Sequence, residues 1–153
     1  MIHSFHNSER LDLSRNALFG TIPTQLGTMT SLNRLSLFEN AFVSTIPSQI
    51  GQLIGLSLLD IGNNDLTGRI PTTMGLLTNL GGFSLFGNNL TGTVPSELSN
   101  LASLQLLYLD STSLVGPLPS GLCDLNLQEF WSDCEETQCI CCTICCADGF
   151  GCF

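Results

Sequence analysis

A period of 24 residues constrains this chain more than any other feature of its sequence. Leu11, Leu35, Leu59, Phe83 and Leu107 fall in step, and the residues that follow each of them recur at fixed offsets. Two positions on stand Leu13, Leu37, Ile61, Leu85 and Leu109. Five positions on stand Asn16, Asn40, Asn64 and Asn88, with Thr112 departing from the series. Leu18, Phe42, Leu66, Leu90 and Leu114 come next, then Gly20, Ser44, Gly68, Gly92 and Gly116, then Pro23, Pro47, Pro71, Pro95 and Pro119. Five copies in phase, with no insertion between them, specify units stacked on their neighbours rather than a core of unlike elements.

Each position has a physical task. Apolar residues two apart, as in "LDL", "LSL", "LDI", "FSL" and "LYL", mark a short strand with one buried face. One strand alone cannot bury that face. Stacked at a strand spacing of ~4.8 Å, five of them form a parallel sheet over a shared apolar column. The recurrent asparagine turns the chain inward, its amide bonding backbone groups that would otherwise be buried unpaired. The glycine permits the positive φ of a turn, and the aliphatic-Pro pair holds an extended segment on the far side. Stretches such as "PTTMGLLTNL" leave room for a helical turn or two before the next strand.

"NNDLTGRIPTTMGLLTNL" and "NNLTGTVPSELSNLASLQLLYL" resemble the plant-type leucine-rich repeat, with its order of Leu, Asn, Leu, Thr-Gly, Ile-Pro, Leu-Gly and Leu. The resemblance covers Leu11 to about Leu122. It implies an α/β repeat fold: a right-handed solenoid with a short parallel sheet on its concave face. It also implies a receptor-like or secreted protein on the extracellular side, non-catalytic and binding a protein or peptide. Three features depart from the pattern: Thr112 for Asn, Ser44 for Gly, and no paired-cysteine cap before Leu11. The last suggests a start inside a longer array, which would leave the first coil's apolar edge open. The expected organisation is an irregular arm over residues 1–10, five repeats over 11–122, and a Cys-rich cap over 123–153.

All eight cysteines, Cys123, Cys134, Cys139, Cys141, Cys142, Cys145, Cys146 and Cys152, lie in that last segment. Phe130 and Trp131 are expected to cover the open end of the apolar column. For "CICCTICC" three readings stand side by side. An even count in a short cap suits a disulfide knot, which the extracellular setting of the resembled family favours. The spacing also resembles metallothionein, whose thiolates take Zn²⁺ or Cu⁺. A Cys-rich tail can also be palmitoylated.

Composition narrows the function. The chain carries four Arg, no Lys and thirteen acids, a net charge of −9, so the phosphates of nucleic acid are repelled. Only 11% of residues are charged, against about 25% in typical proteins, which suits many short turns. No run approaches the ~18 apolar residues of a membrane span, and the first ten residues lack the basic start and apolar run of a signal peptide. Nucleophile elbows, phosphate loops and dinucleotide fingerprints are absent. The pair His3 and His6 has no third metal ligand beside it, and no cofactor or metal is expected. Asp12 and Asp60 share a strand offset two coils apart and are expected to be solvated, without a raised pKa. An enzyme is therefore not expected.

What remains is the surface opposite the buried leucines. Its expected binding residues are Arg34, Ser36, Phe38, Glu39, Asp60, Asn63, Ser84, Phe86, Tyr108 and Asp110, on columns that alternate with the core positions. Phe38, Phe86 and Tyr108 stand out, because stacking does not require aromatic residues there and exposed aromatics often anchor interfaces. Asn89-Leu90-Thr91 is the one glycosylation sequon, with Asn89 directed outward beside the inward Asn88. Two rival roles belong to other classes: a matrix spacer cross-linked by the tail, and metal handling by its thiolates.

Overall fold

The computed structural model describes residues 8–133, 142–147 and 151–152, with backbone alone for 144–147 and 151–152. Five coils each contribute a pair of short strands: β1 (Arg10–Asp12) and β2 (Phe19–Thr21), β3 (Arg34–Ser36) and β4 (Ala41–Thr45), β5 (Leu58–Asp60) and β6 (Asp65–Gly68), β7 (Gly82–Ser84) and β8 (Asn89–Gly92), β9 (Leu106–Tyr108) and β10 (Ser113–Leu114). They are followed by β11 (Glu129–Asp133), β12 (Ile144–Ala147) and β13 (Gly151–Cys152). The odd-numbered strands through β11, then β12 and β13, form one eight-stranded sheet. Its repeat strands run parallel in 24-residue register, as Leu35↔Leu59 and Leu59↔Phe83 show. The solenoid and parallel sheet are as the periodicity requires.

The middle residue of each main-sheet strand points to the core. Leu35, Leu59, Phe83 and Leu107 are completely or almost completely buried, and Leu37, Ile61, Leu85 and Leu109 stack beside them. Leu11 and Leu13 remain half-buried at the outer coil, where Phe19 is 84% exposed. Asn40, Asn64 and Asn88 form the inner ladder. Each Nδ2 donates to a carbonyl of the preceding coil, such as Asn64 to Leu37 O at 3.1 Å, and each Oδ1 accepts from a backbone amide of that coil. Thr112, in place of the fifth asparagine, bonds only locally through Oγ1 to Leu109 O. Its amide and that of Ser111 are instead held by the buried Asp133 carboxylate, at 3.0 and 2.9 Å.

Three features go beyond the sequence expectation. β2, β4, β6, β8 and β10 pair into a second parallel sheet. The segments after each proline (Thr24–Thr28, Ser48–Gln52, Thr72–Leu76, Ser96–Asn100 and Ser120–Leu122) are single 3-10 turns, and no α-helix occurs among the described residues. Proline holds the entry extended, as in Pro47 at φ −65°, ψ 129°, and the turn closes on i→i+3 bonds, Ile50 N to Pro47 O and Leu53 N to Ile50 O, each at 3.0 Å. The main sheet also continues past residue 122. Phe130 stands in register with Leu107 and is fully buried, so it covers the apolar column as expected. Trp131 does not: it pairs with Tyr108 and stands on the outer face of the sheet.

Ser44 occupies a position where the other coils place glycine. Gly20, Gly68, Gly92 and Gly116 take φ of 91°, 77°, 81° and 83°, and Ser44 is held at 73°. Left-handed backbone costs a residue with a Cβ about 1–2 kcal/mol. Ser44 is exposed and its side chain contributes no core packing. Ser44→Gly is therefore expected to raise the unfolding free energy by about 0.5–1 kcal/mol, after the flexibility glycine adds to the unfolded chain. An unchanged or lower urea midpoint would contradict this.

Candidate recognition face

Because the middle residue of each strand faces inward, the first and third face out. Register aligns them into two columns: Arg10, Arg34, Leu58, Gly82, Leu106 and Glu129, and Asp12, Ser36, Asp60, Ser84, Tyr108 and Trp131. Beyond the strand ends, Phe38 and Phe86 belong to a third row with Gly62 between them. Their rings meet at 5.8 Å between centroids although a whole coil lies between them. Gly62 makes this possible: a Cβ there would lie 2.8 Å from the Phe86 ring. The two phenylalanines thus roof one glycine and form a single apolar ridge.

The expected binding residues divide on this geometry. Arg34 is exposed and Ser36 half-buried on the outer face. Glu39 and Asn63 lie past the strands at left-handed turns (φ 55° and 49°), at the rim. Glu39 accepts a 3.2 Å ion pair from Arg15 Nε, and the Arg15 guanidinium lies 5.9 Å from the Phe38 ring centroid. Ser84 and Asp110 are only 7% exposed, so they form the floor of the face rather than its surface.

The carboxylates also separate by environment. Asp12 is held below the usual range by the Ser14 hydroxyl and amide that bond it. Asp60 is pushed up by burial, against the opposing hydrogen bond from the Gly62 amide at 3.2 Å. The expectation of an unraised Asp60 is therefore corrected: Phe38, Phe86 and Tyr108 shelter the groove in which it sits. Asp110 is pushed up by burial first and by the Asp133 charge second.

The far end of the face holds residues that the repeat pattern did not reveal. The Tyr108 hydroxyl donates to Glu129 Oε2 at 2.5 Å, and its ring meets Trp131 edge-on at 5.5 Å. Burial, then the Glu129 carboxylate, push the Tyr108 hydroxyl up to about 12. Tyr108 and Phe86 both line two neighbouring cavities. One, of about 190 Å³, extends over Asp60 and Ser84; the other, of about 390 Å³, is walled by Phe86, Tyr108, Asp110, Glu129 and Trp131. Glu129 and Trp131 were legible in principle: "NLQEFWS" repeats "SLQLLYL" at a step of 23 rather than 24.

Other expected sites lie off this face. Asn16 and the buried Asn ladder are structural, and Asn89 is exposed on β8 of the second sheet. Cys123 and Cys142 are each disulfide-bonded. Cys145, Cys146 and Cys152 fall on β12 and β13, while Cys134, Cys139, Cys141, His3 and His6 lie outside the described residues. Among the described residues no cluster of His, Cys, Asp and Glu could hold a metal, and no helix is long and apolar enough to cross a membrane.

Solved structures share this architecture. The ectodomain of the plant membrane receptor kinase GASSHO1/SCHENGEN3 from Arabidopsis thaliana, in complex with CASPARIAN STRIP INTEGRITY FACTOR 2, is 38% identical with a TM-score of 0.78, covering 80% of this chain and 15% of that one. The Arabidopsis receptor kinase HAESA, in complex with the peptide hormone IDA and the co-receptor SERK1, is 37% identical with a TM-score of 0.76, covering 83% and 21%. A plant ice-binding protein is 28% identical with a TM-score of 0.74, covering 82% and 40%. The chain thus spans about a fifth or less of the two receptor structures. Compared by sequence with curated proteins, it finds no match. The Leucine Rich Repeat family model matches residues 7–29, 55–77, 79–101 and 103–125, well over half of the sequence. With the in-phase strands, the asparagine ladder and the resemblance to receptor ectodomains, this places the chain in the leucine-rich repeat family.

Proposed function

We propose that this chain is a non-catalytic recognition module that binds an extended peptide or protein segment along the outer face of the main sheet, on the extracellular side. The observation that carries the reading is the row of aromatic side chains on that face: Phe38 and Phe86 in contact, then Tyr108 and Trp131 in contact, with two cavities between them. Stacking alone places no aromatic residue there, and aromatic anchors in partly enclosed pockets supply most of the energy of typical interfaces. HAESA is solved with a peptide hormone, which supports this use of the fold. The ice-binding relative shows that the fold alone does not decide function. Asn89, exposed on the second sheet, is a glycan site that leaves the recognition face clear.

The test is selection of displayed random peptides on the wild-type protein, followed by affinity measurement with Phe38→Ala/Tyr108→Ala. Affinity should fall at least about thirtyfold, the loss of one strong anchor or more. The urea midpoint should shift little, because both residues are half-exposed. Selected peptides that bind the double variant undiminished would remove the proposal.

A further inference from the structure

We propose that the cavity between Phe86, Tyr108, Asp110, Glu129 and Trp131 is a subsite for an arginine side chain of the bound segment. The proposal rests on the reading of this face as a peptide groove. Three of the five walls are aromatic, and Tyr108 and Trp131 stand edge to face, which turns ring surfaces to the cavity from different directions. The other two walls are acids, with Asp110 on the floor and Glu129 at the margin. A planar guanidinium matches both: it stacks on aromatic faces and pairs with carboxylates through fixed donors, where an ammonium would act as a point charge.

The charge distribution along the face points to the same occupant. Three of the four arginines, Arg10, Arg15 and Arg34, lie in the first two coils. None of the four lines this cavity at the far end. The cavity is therefore a sheltered site with two carboxylates and no cation of its own lining it. A third carboxylate, Asp133, lies close enough to raise Asp110. A bound cation would relieve that repulsion beside the buried Asp110 carboxylate, where water screens charge less than in bulk. A segment with arginine here would run its other end toward Arg10 and Arg34, so acidic residues are favoured there.

Trp131 is the one tryptophan of the chain, so its fluorescence reports on this wall directly. The probe is acetyl-arginine amide, with acetyl-citrulline amide as an uncharged control of the same shape. The arginine probe should give a saturable change in emission. Citrulline should bind roughly tenfold or more weaker, and so should arginine to Glu129→Gln or Asp110→Asn. Glu129 is exposed, so Glu129→Gln keeps the test open even if the buried Asp110 substitution unfolds the coil. Equal responses to both probes, no saturable response, or undiminished arginine binding by Glu129→Gln would overturn the proposal.

Peptide selection separates this inference from the one beneath it. Selected peptides that lack a basic residue and ignore Glu129→Gln would overturn the arginine subsite and leave the groove standing. Saturable arginine binding with no peptide selected would support the subsite and remove the groove.

Discussion

Phe130→Ala is expected to lower the unfolding free energy by about 3–5 kcal/mol, the usual cost of truncating a fully buried phenylalanine. Phe130 has no exposed surface and continues the column of Leu35, Leu59, Phe83 and Leu107 by one step. Its backbone is also tied to the following segment: the amide donates to Thr143 Oγ1 at 2.6 Å, and that hydroxyl donates to Phe130 O at 3.1 Å. In a stack of coils each unit is stabilised mainly by its neighbours. The loss should therefore loosen the end first and the middle later. Two probes read this separately. Trp131 emission should change at lower urea than circular dichroism in the variant, whereas the two should coincide in the wild type. A loss below about 1 kcal/mol would mean that Phe130 is not the lid of the column.

Asn64→Ala is expected to cost about 3 kcal/mol although it removes little apolar surface. The Asn64 amide is 7% exposed and satisfies four backbone groups. Its Oδ1 accepts from the Phe42 amide at 3.1 Å, and its Nδ2 donates to Leu37, Ile61 and Gly62 carbonyls, each at 3.1 Å. Alanine leaves these groups inside the solenoid without that partner, and an unpaired buried group costs about 1–3 kcal/mol. Asn16 is the internal control. It holds the same repeat position in the first coil, is exposed, and its side chain donates to Leu13 O and Ser14 O. Asn16→Ala should cost about 1 kcal/mol or less, since water replaces the lost partner. Equal midpoint shifts for the two variants would show that burial does not set the ladder's contribution.

The contrast between these two asparagines shows how far the repeat could be read. Leu, Asn and Pro at fixed offsets were enough to identify the coil, because each answers a local demand that recurs in every unit. The second sheet was not legible. In β6 and β8 only Leu66 and Leu90 are buried, flanked by exposed polar residues, and one apolar residue between polar ones also describes a loop. The sixth parallel strand, β11, was hidden because its step is 23 residues and Ser132 stands where Leu109 would recur. Nothing in the spacing of Asp133 along the chain marks its role. Its carboxylate caps the Ser111 and Thr112 amides, next to the coil whose asparagine is missing.

The candidate site was legible in its members and not in its arrangement. Phe38, Phe86 and Tyr108 could be singled out as aromatics that the stack does not need. That Phe38 and Phe86 touch depends on the absence of a side chain at Gly62. That Tyr108 faces Trp131 and Glu129 depends on where the chain re-enters the sheet after an irregular step.

The amino-acid sequence by itself determined the period, the buried column and the ladder that seals it, because those follow from what one coil must hide and bond. Only the tertiary structure decided which outer residues meet, which acids lie on a buried floor and where the aromatic row ends. Those outcomes depend on side chains from different coils converging across space, and no spacing along the chain encodes that distance.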